Sequence, residues 1–106
     1  MINKVKPKKA LGQHFLTDLR VAQQIAESLP TTEPTRVIEI GPGMGVLTQF
    51  LLQNPNINLT AIEIDTESVV YLREHYPQLH VVEGDFLRLN LDTIVGEGPF
   101  MVIGNY

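Results

Sequence analysis

Apolar and polar positions alternate along the chain with two periods, one typical of strands and one typical of helices. Short apolar runs predict four strands, at 36–40, 58–64, 79–83 and 99–103. Helical spacing and capping residues predict helices from Thr17 or Asp18 to about 29, and at 45–54, 65–75 and 89–95. Strands that alternate with helices form a parallel sheet with right-handed crossovers, so the sequence predicts an α/β fold.

The stretch from Val37 to Gly45 is the centre of this pattern. A β-branched run leads into three glycines, Gly41, Gly43 and Gly45, and then directly into an apolar helix. Parallel α/β sheets bind ligands at such a strand–turn–helix junction, where backbone N–H groups face the ligand. Glycine permits the unusual φ angles of the turn and close approach of a ligand. An ordinary glycine-rich turn in an unrelated α/β protein is the alternative.

The spacing of these glycines does not suit a dinucleotide. The dinucleotide fingerprint G-x-G-x-x-G requires a third glycine where this chain has Val46. Pro42 also removes one N–H donor from the turn. The loop therefore favours a ligand recognised by shape and hydrogen bonds, such as S-adenosylmethionine (SAM), over a pyrophosphate. Half of an NAD-type dehydrogenase is a weaker alternative.

Two carboxylates follow the next strands. Glu63 ends the second strand, where it can accept hydrogen bonds from both ribose hydroxyls of an adenosine-containing ligand. Asp85 follows the third strand and can accept a hydrogen bond from the adenine amine, with Phe86 beside the ring. The alternatives are a solvent-facing acid and a turn aspartate that binds local N–H groups. Asp65 is predicted to be a helix cap.

Asn105 and Tyr106 follow the fourth strand. An asparagine amide oxygen and a backbone carbonyl can together accept hydrogen bonds from an exocyclic adenine amine, whose lone pair is otherwise delocalised into the ring. Holding both N–H groups frees that lone pair to attack a sulfonium methyl in line, so catalysis is positioning plus electrostatics. Tyr106 could supply a stacking face, whereas the alternative for both residues is a turn after a strand.

The amino-acid composition bears on disulfides, metal sites, cellular location and membrane association. The chain contains no cysteine, which excludes disulfides and thiolate metal sites and favours a cytoplasmic location. No secretion signal and no apolar run near ~20 residues is present, so we expect no membrane association. His14, His75 and His80 lack ligand spacing, and we predict no metal site.

Charge is distributed unevenly. Four lysines, Lys4, Lys6, Lys8 and Lys9, stand among the first ten residues without an acid, although the net charge of the chain is −4. We therefore divide the single predicted domain into a basic arm, 1–10, and a βα body, 11–106. The arm is predicted to contact an anionic partner such as RNA, and a solvated, disordered N-terminus is the alternative.

Five motifs together closely resemble the ribosomal RNA adenine N(6)-dimethyltransferases, and within them the bacterial branch that acts on small-subunit (16S) rRNA. The motifs are K-K-A-L-G-Q-H-F-L at 8–16, E-I-G-P-G-M-G at 39–45, Glu63, Gly84-Asp85, and G-N-Y at 104–106. The resemblance implies a Rossmann-like SAM-dependent methyltransferase fold, truncated here after about four parallel strands, and a C-terminal RNA-binding domain that these residues do not include. It implies that SAM is contacted by Gln13, His14, Leu16, Gly41, Gly43, Gly45, Glu63, Ile64, Asp85, Phe86 and Asn105.

The resemblance also implies a reaction. Family members place two methyl groups on the N(6) amine of each of two adjacent adenosines, as part of ribosome biogenesis, with rRNA of the small ribosomal subunit as the partner of a monomeric enzyme. Asn105 and Tyr106 would open the catalytic loop, whose proline and second tyrosine lie beyond residue 106. We therefore expect the 106 residues alone to be inactive. The related macrolide-resistance methyltransferases of large-subunit rRNA, and a non-catalytic ribosome-assembly or RNA-binding factor, are the alternatives.

Overall fold

The strands form one parallel sheet. In the computed structural model, which describes residues 19–104, the strands are β1 (Thr35–Ile40), β2 (Ile57–Glu63), β3 (His80–Glu83) and β4 (Met101–Gly104). They are hydrogen-bonded in the order β3–β2–β1–β4, and each neighbouring pair is parallel. The predicted α/β fold with four parallel strands is confirmed.

Helices connect these strands at the predicted places. They are α1 (Leu19–Glu27), α2 (Val46–Leu51), α3 (Thr66–His75) and α4 (Leu91–Val95), with one 3₁₀ turn at Phe86–Arg88. Within residues 19–104 no helix has the length and apolar character that a bilayer crossing requires.

Helix α2 is shorter than predicted, because the chain turns after residue 51. The Asn54 side chain accepts a hydrogen bond from the Asn56 amide at 2.9 Å and donates one to Thr31 Oγ1 at 2.6 Å. Asparagine competes in this way with the helical hydrogen-bond pattern. The resulting turn ties the end of α2 to the chain that precedes β1.

Both faces of the sheet are covered, as expected for parallel strands. Consecutive residues of β1 show this, since Val37 and Ile38 are both fully buried but belong to separate apolar clusters. Helices α1, α2 and α3 contribute to the larger cluster, whose buried members are Ala26, Val37, Leu47, Leu51, Leu59, Ala61, Val69, Leu72, Leu79, Val81 and Ile103. The 3₁₀ turn and α4 cover the opposite face. The strand ends that carry the predicted site are therefore anchored in a packed core.

Strand β4 lies at one edge of the sheet. It pairs with β1 from Val37↔Met101 to Ile40↔Gly104, and no other described strand borders it. In the part of the chain that the structure describes, β4 is therefore an edge strand. A Cβ on Gly104 would collide with the Ile40 backbone, so the close approach of the two strand ends requires glycine.

Arg36 fastens the connection between α4 and β4 to the beginning of β1. Its guanidinium donates to three backbone carbonyls, those of Val95 at 2.5 Å, Glu97 at 2.6 Å and Pro99 at 3.1 Å. Because the Pro99 carbonyl binds Arg36, β4 begins at Met101 and not at 99 as predicted.

We expect Arg36→Lys to lower the free energy of unfolding by about 2–4 kcal/mol. The compact ammonium group of lysine cannot donate to all three carbonyls that the planar guanidinium of Arg36 reaches. Urea unfolding followed by circular dichroism measures this difference. Arg88→Lys is the matched control, since the exposed Arg88 approaches Asp85 only at 3.7 Å. Equal unfolding midpoints for both variants would show that the Arg36 contacts add no stability.

Candidate functional site

The glycine-rich loop, residues 41–45, joins the carboxyl end of β1 to α2. Gly41, Gly43 and Gly45 have φ angles of 64°, 58° and 86°, and no other residue type has a positive φ between residues 19 and 104. Side chains rarely adopt this conformation, so the predicted need for glycine is confirmed at all three positions. A Cβ on Gly43 would meet no atom within 4 Å, which leaves the loop surface open to a ligand there.

The N–H groups of these glycines are engaged within the protein. Gly41 N donates to Ile62 O, Gly43 N to Glu63 Oε1, and Gly45 N to Pro42 O, each at 2.9 Å. In this structure none of the three glycine amides is free of an internal partner, and the contact of the junction with a ligand stays a prediction. These internal bonds occupy the three glycine N–H groups, which agrees with the interpretation that the loop does not suit a pyrophosphate.

Glu63 lies directly beside the loop, as predicted. It is the last residue of β2 and is only 6% exposed. Its Oε1 accepts from Gly43 N at 2.9 Å, and its Oε2 accepts from Asp65 N at 3.0 Å. Each carboxylate oxygen can accept more than one hydrogen bond, so contact with ribose hydroxyls stays a prediction that this geometry permits.

Glu39 is a second buried acid, and its role was not predicted from the sequence. It lies in β1, is 1% exposed, and accepts a hydrogen bond from Thr48 Oγ1 of α2 at 2.5 Å. Burial raises the pKa of Glu39 from 4.5 to about 7; the Thr48 hydrogen bond opposes the rise and the Glu63 charge adds to it. In the sequence, the signal that could have identified Glu39 is an acidic residue between Ile38 and Ile40 in an apolar strand. Buried acids with a shifted pKa are frequent at functional sites.

Asp85 lies at the neighbouring strand end. Gly84 N donates to Glu63 O at 2.9 Å, which brings the end of β3 beside the end of β2. Asp85 Oδ1 accepts from Leu87 N at 3.0 Å, as the turn interpretation expected. The predicted contact with an adenine amine is untested.

Three neighbouring residues complete the described rim. Ile64 is 62% exposed and directly follows Glu63, so its side chain is accessible to a ligand. Phe86 is partly buried against the apolar cluster on the α4 side of the sheet. Asp65 caps α3 by accepting from Ser68 N at 3.0 Å, which confirms its predicted role.

The remaining predicted residues lie outside the described part of the chain. They are Gln13, His14, Leu16, the four lysines of the arm, Asn105 and Tyr106. The residue before Asn105, Gly104, pairs in register with Ile40, the residue before the loop. The described end of β4 and the loop are therefore neighbours. Among residues 19–104, no three His, Asp or Glu side chains gather as a metal site requires.

Solved structures share this arrangement of strands and helices. The 23S rRNA methyltransferase ErmE matches with a TM-score of 0.66 and 33% identity, over 85% of this chain and 36% of that one. The glycopeptide N-methyltransferase MtfA, complexed with sinefungin, matches with a TM-score of 0.62 and 23% identity, over 81% of this chain and 35% of that one. With the observed sheet, these matches confirm the predicted Rossmann-like methyltransferase fold.

Sequence comparison gives the family. The protein named ribosomal RNA small subunit methyltransferase A of Bacteroides thetaiotaomicron is 54% identical over 104 residues, which are 96% of this chain and 39% of that protein. Its namesake from Porphyromonas gingivalis is 53% identical over 106 residues, covering 97% and 41%. The chain thus spans about two fifths of the curated relatives it matches. The family model described as ribosomal RNA adenine dimethylase matches residues 4–106, and the chain belongs to this family.

Proposed function

We propose that the intact protein transfers methyl groups from SAM to the N(6) amines of two adjacent adenosines in small-subunit rRNA, and acts in this way in ribosome biogenesis in the cytoplasm. Family membership supports the reaction class, and relatives above 50% identity that are named for the small subunit support the choice of rRNA. The likeness to a 23S rRNA methyltransferase is lower, at 33% identity. These identities favour rRNA of the small subunit over rRNA of the large subunit as the proposed substrate.

One observation carries the choice of cofactor: the loop uses its glycine N–H groups internally and lies against a buried acid, Glu63. A phosphate is bound by free N–H donors or positive charge, and the three glycines of this loop offer no free N–H group. Negative charge in a low-dielectric site instead favours a cationic ligand. SAM carries a sulfonium and an ammonium group, and when bound it supplies an electrophilic methyl group.

The described residues fit such a ligand. The space beside Gly43 is open, so a ligand can approach the backbone of the loop closely there. Glu63 would accept hydrogen bonds from ribose hydroxyls, and Asp85 would accept one from the adenine amine. The other proposed contacts are made by Gln13, His14, Leu16, Gly41, Gly45, Ile64, Phe86 and Asn105.

Catalysis is assigned to the residues that follow β4. Asn105 would hold the N–H groups of the target adenine, so that the amine lone pair is free to attack, and Tyr106 would stack beside the base. The target base must leave its helical stack at a cost of a few kcal/mol, which stacking on an aromatic side chain offsets. Lys4, Lys6, Lys8 and Lys9 would contact rRNA phosphates.

Asn105→Ala is expected to slow methyl transfer on the order of 100-fold, because it removes a group that acts on the reacting amine. The assay follows labelled methyl groups from SAM into unmethylated small ribosomal subunits, using the intact natural protein. SAM affinity, measured by calorimetry, should change by less than about tenfold.

Asn58→Ala is the matched control, since Asn58 is an exposed asparagine near the beginning of β2, at the opposite end of the strand from Glu63. Transfer to large subunits only would assign the protein to the macrolide-resistance type. If the folded wild type transferred no methyl group to either subunit, a non-catalytic role would be favoured. Heat released with NAD and not with SAM would overturn the choice of cofactor.

A further inference from the structure

Tyr76, which follows α3, reaches across to the glycine-rich loop. A Cβ on Gly45 would lie 2.7 Å from Tyr76 Cε2 and 3.2 Å from both Cζ and Oη. The ring of Tyr76 therefore fills the space that a side chain at position 45 would need. Gly45 is itself buried, and the direction in which its side chain would extend faces Tyr76 in the interior.

The hydroxyl of Tyr76 makes a second contact with the same residue. It lies 3.5 Å from Gly45 O, toward which it donates. The same carbonyl accepts from Gln49 N at 3.0 Å, which is the first hydrogen bond of α2. Tyr76 thus contacts the residue at which the loop becomes a helix.

The backbone of Tyr76 is held by α3 and by the turn that follows this helix. Tyr76 N donates to Leu72 O at 2.8 Å, and Tyr76 O accepts from Leu79 N at 2.9 Å, so the backbone is held on both sides. The side chain packs against the larger apolar cluster. Burial, helped by Tyr71 and Glu39, raises the pKa of Tyr76, so its hydroxyl keeps its proton and can donate.

We infer that Tyr76 is a positioning residue for the glycine-rich loop: its ring and hydroxyl hold Gly45 in the left-handed conformation that shapes the cofactor-facing side of residues 41–45. The inference rests on the proposed function in so far as that side binds SAM. Tyr76 acts through Gly45 and touches no reacting group. Helix α3 thereby supports the site at both of its ends, since its first residues follow Glu63 and its last turn leads to Tyr76.

The first experiment measures the loop without cofactor. Amide hydrogen exchange in residues 43–47 of the intact protein should become about tenfold faster in Tyr76→Leu, which keeps an apolar side chain but loses the ring. Tyr76→Phe should stay within about threefold of the wild type, because it retains the ring. Tyr71→Ala is the matched control, since Tyr71 lies on the same helix and stacks on His75.

The second experiment measures coupling between the two residues by calorimetry with SAM. Gly45→Ala should weaken binding about tenfold in the wild type, because a side chain at φ 86° is strained and also meets the Tyr76 ring. In the Tyr76→Leu background the penalty should be at least about twofold smaller.

An equal Gly45→Ala penalty in both backgrounds, or unchanged exchange in Tyr76→Leu, would overturn the positioning role. Absence of SAM binding by the wild type would overturn the proposed cofactor instead, and the exchange experiment would still decide the role of Tyr76. A variant that loses exchange protection throughout the chain, in α3 as much as in the loop, would show a merely structural residue.

Discussion

Glu63→Ala is expected to weaken SAM binding by about 10-fold to 100-fold. The carboxylate accepts from Gly43 N at 2.9 Å and from Asp65 N at 3.0 Å, so it fastens the loop to the first turn of α3. Hydrogen bonds to a charged group contribute about 1.5–3 kcal/mol each, and the variant also removes the proposed acceptor for the ribose hydroxyls. Calorimetric titration of the intact protein measures the change in affinity.

Glu83→Ala is the matched control for this variant. Glu83 is the register partner of Glu63 on β3, but it is exposed and accepts from Thr66 Oγ1 at 2.7 Å. Its removal should leave SAM affinity within about threefold. Glu63→Gln should be intermediate, because an amide can accept from Gly43 N but opposes the Asp65 N–H with its own NH₂ group. Unchanged affinity in folded Glu63→Ala would contradict the assignment of Glu63 to the site.

Glu39→Gln is expected to make the protein more stable at pH 8 than the wild type, by up to about 3 kcal/mol. Burial holds the pKa of Glu39 at about 7 in the folded protein, against 4.5 for an ordinary glutamate. The folded wild type therefore binds a proton that the unfolded chain releases, so this stabilising contribution is complete below pH 4.5 and is lost as pH rises through 7. Glutamine resembles the protonated acid and can still accept from Thr48 Oγ1.

Urea unfolding at pH 5, 6, 7 and 8 measures this effect as the difference in free energy between Glu39→Gln and wild type. That difference should grow as pH rises, while Glu74→Gln, which replaces an exposed acid on α3, should show no such trend. The groups that bear on Glu39 from neighbouring elements are Thr48, Glu63 and Tyr76. A difference that does not change with pH would mean that Glu39 is ionised in the folded protein.

Local sequence predicted the strand–loop–helix junction because its physical causes are local. An apolar β-branched run makes a buried strand, and three glycines within five residues require backbone conformations that other residues avoid. Gly41, Gly43 and Gly45 all adopt positive φ angles, as expected. Asp65 was recognisable as a cap for the same reason, since the N–H group that donates to its carboxylate belongs to Ser68, three residues away.

The supporting contacts could not be predicted, because each joins residues far apart in the chain. Tyr76 contacts Gly45, and Arg36 contacts Val95, although neither residue stands in a recognisable motif. Glu63 was recognised from its position at a strand end, but its bond to Gly43 N depends on the strand register. Hydrophobic patterning determines which face of a strand is buried, and it does not specify which polar atoms meet across the sheet.

The pairing of β1 with β4 has a consequence for the newly made chain. The Arg36 side chain near the beginning of β1 binds the carbonyl of Pro99, just before β4, and Pro99 is synthesised 63 residues after Arg36. At a synthesis rate of 5–20 residues per second, that interval lasts roughly 3 to 13 seconds. During it, one border of the nascent sheet displays unpaired amide and carbonyl groups, which another growing polypeptide could join. Translation speed therefore sets how long each nascent molecule is exposed to misassembly.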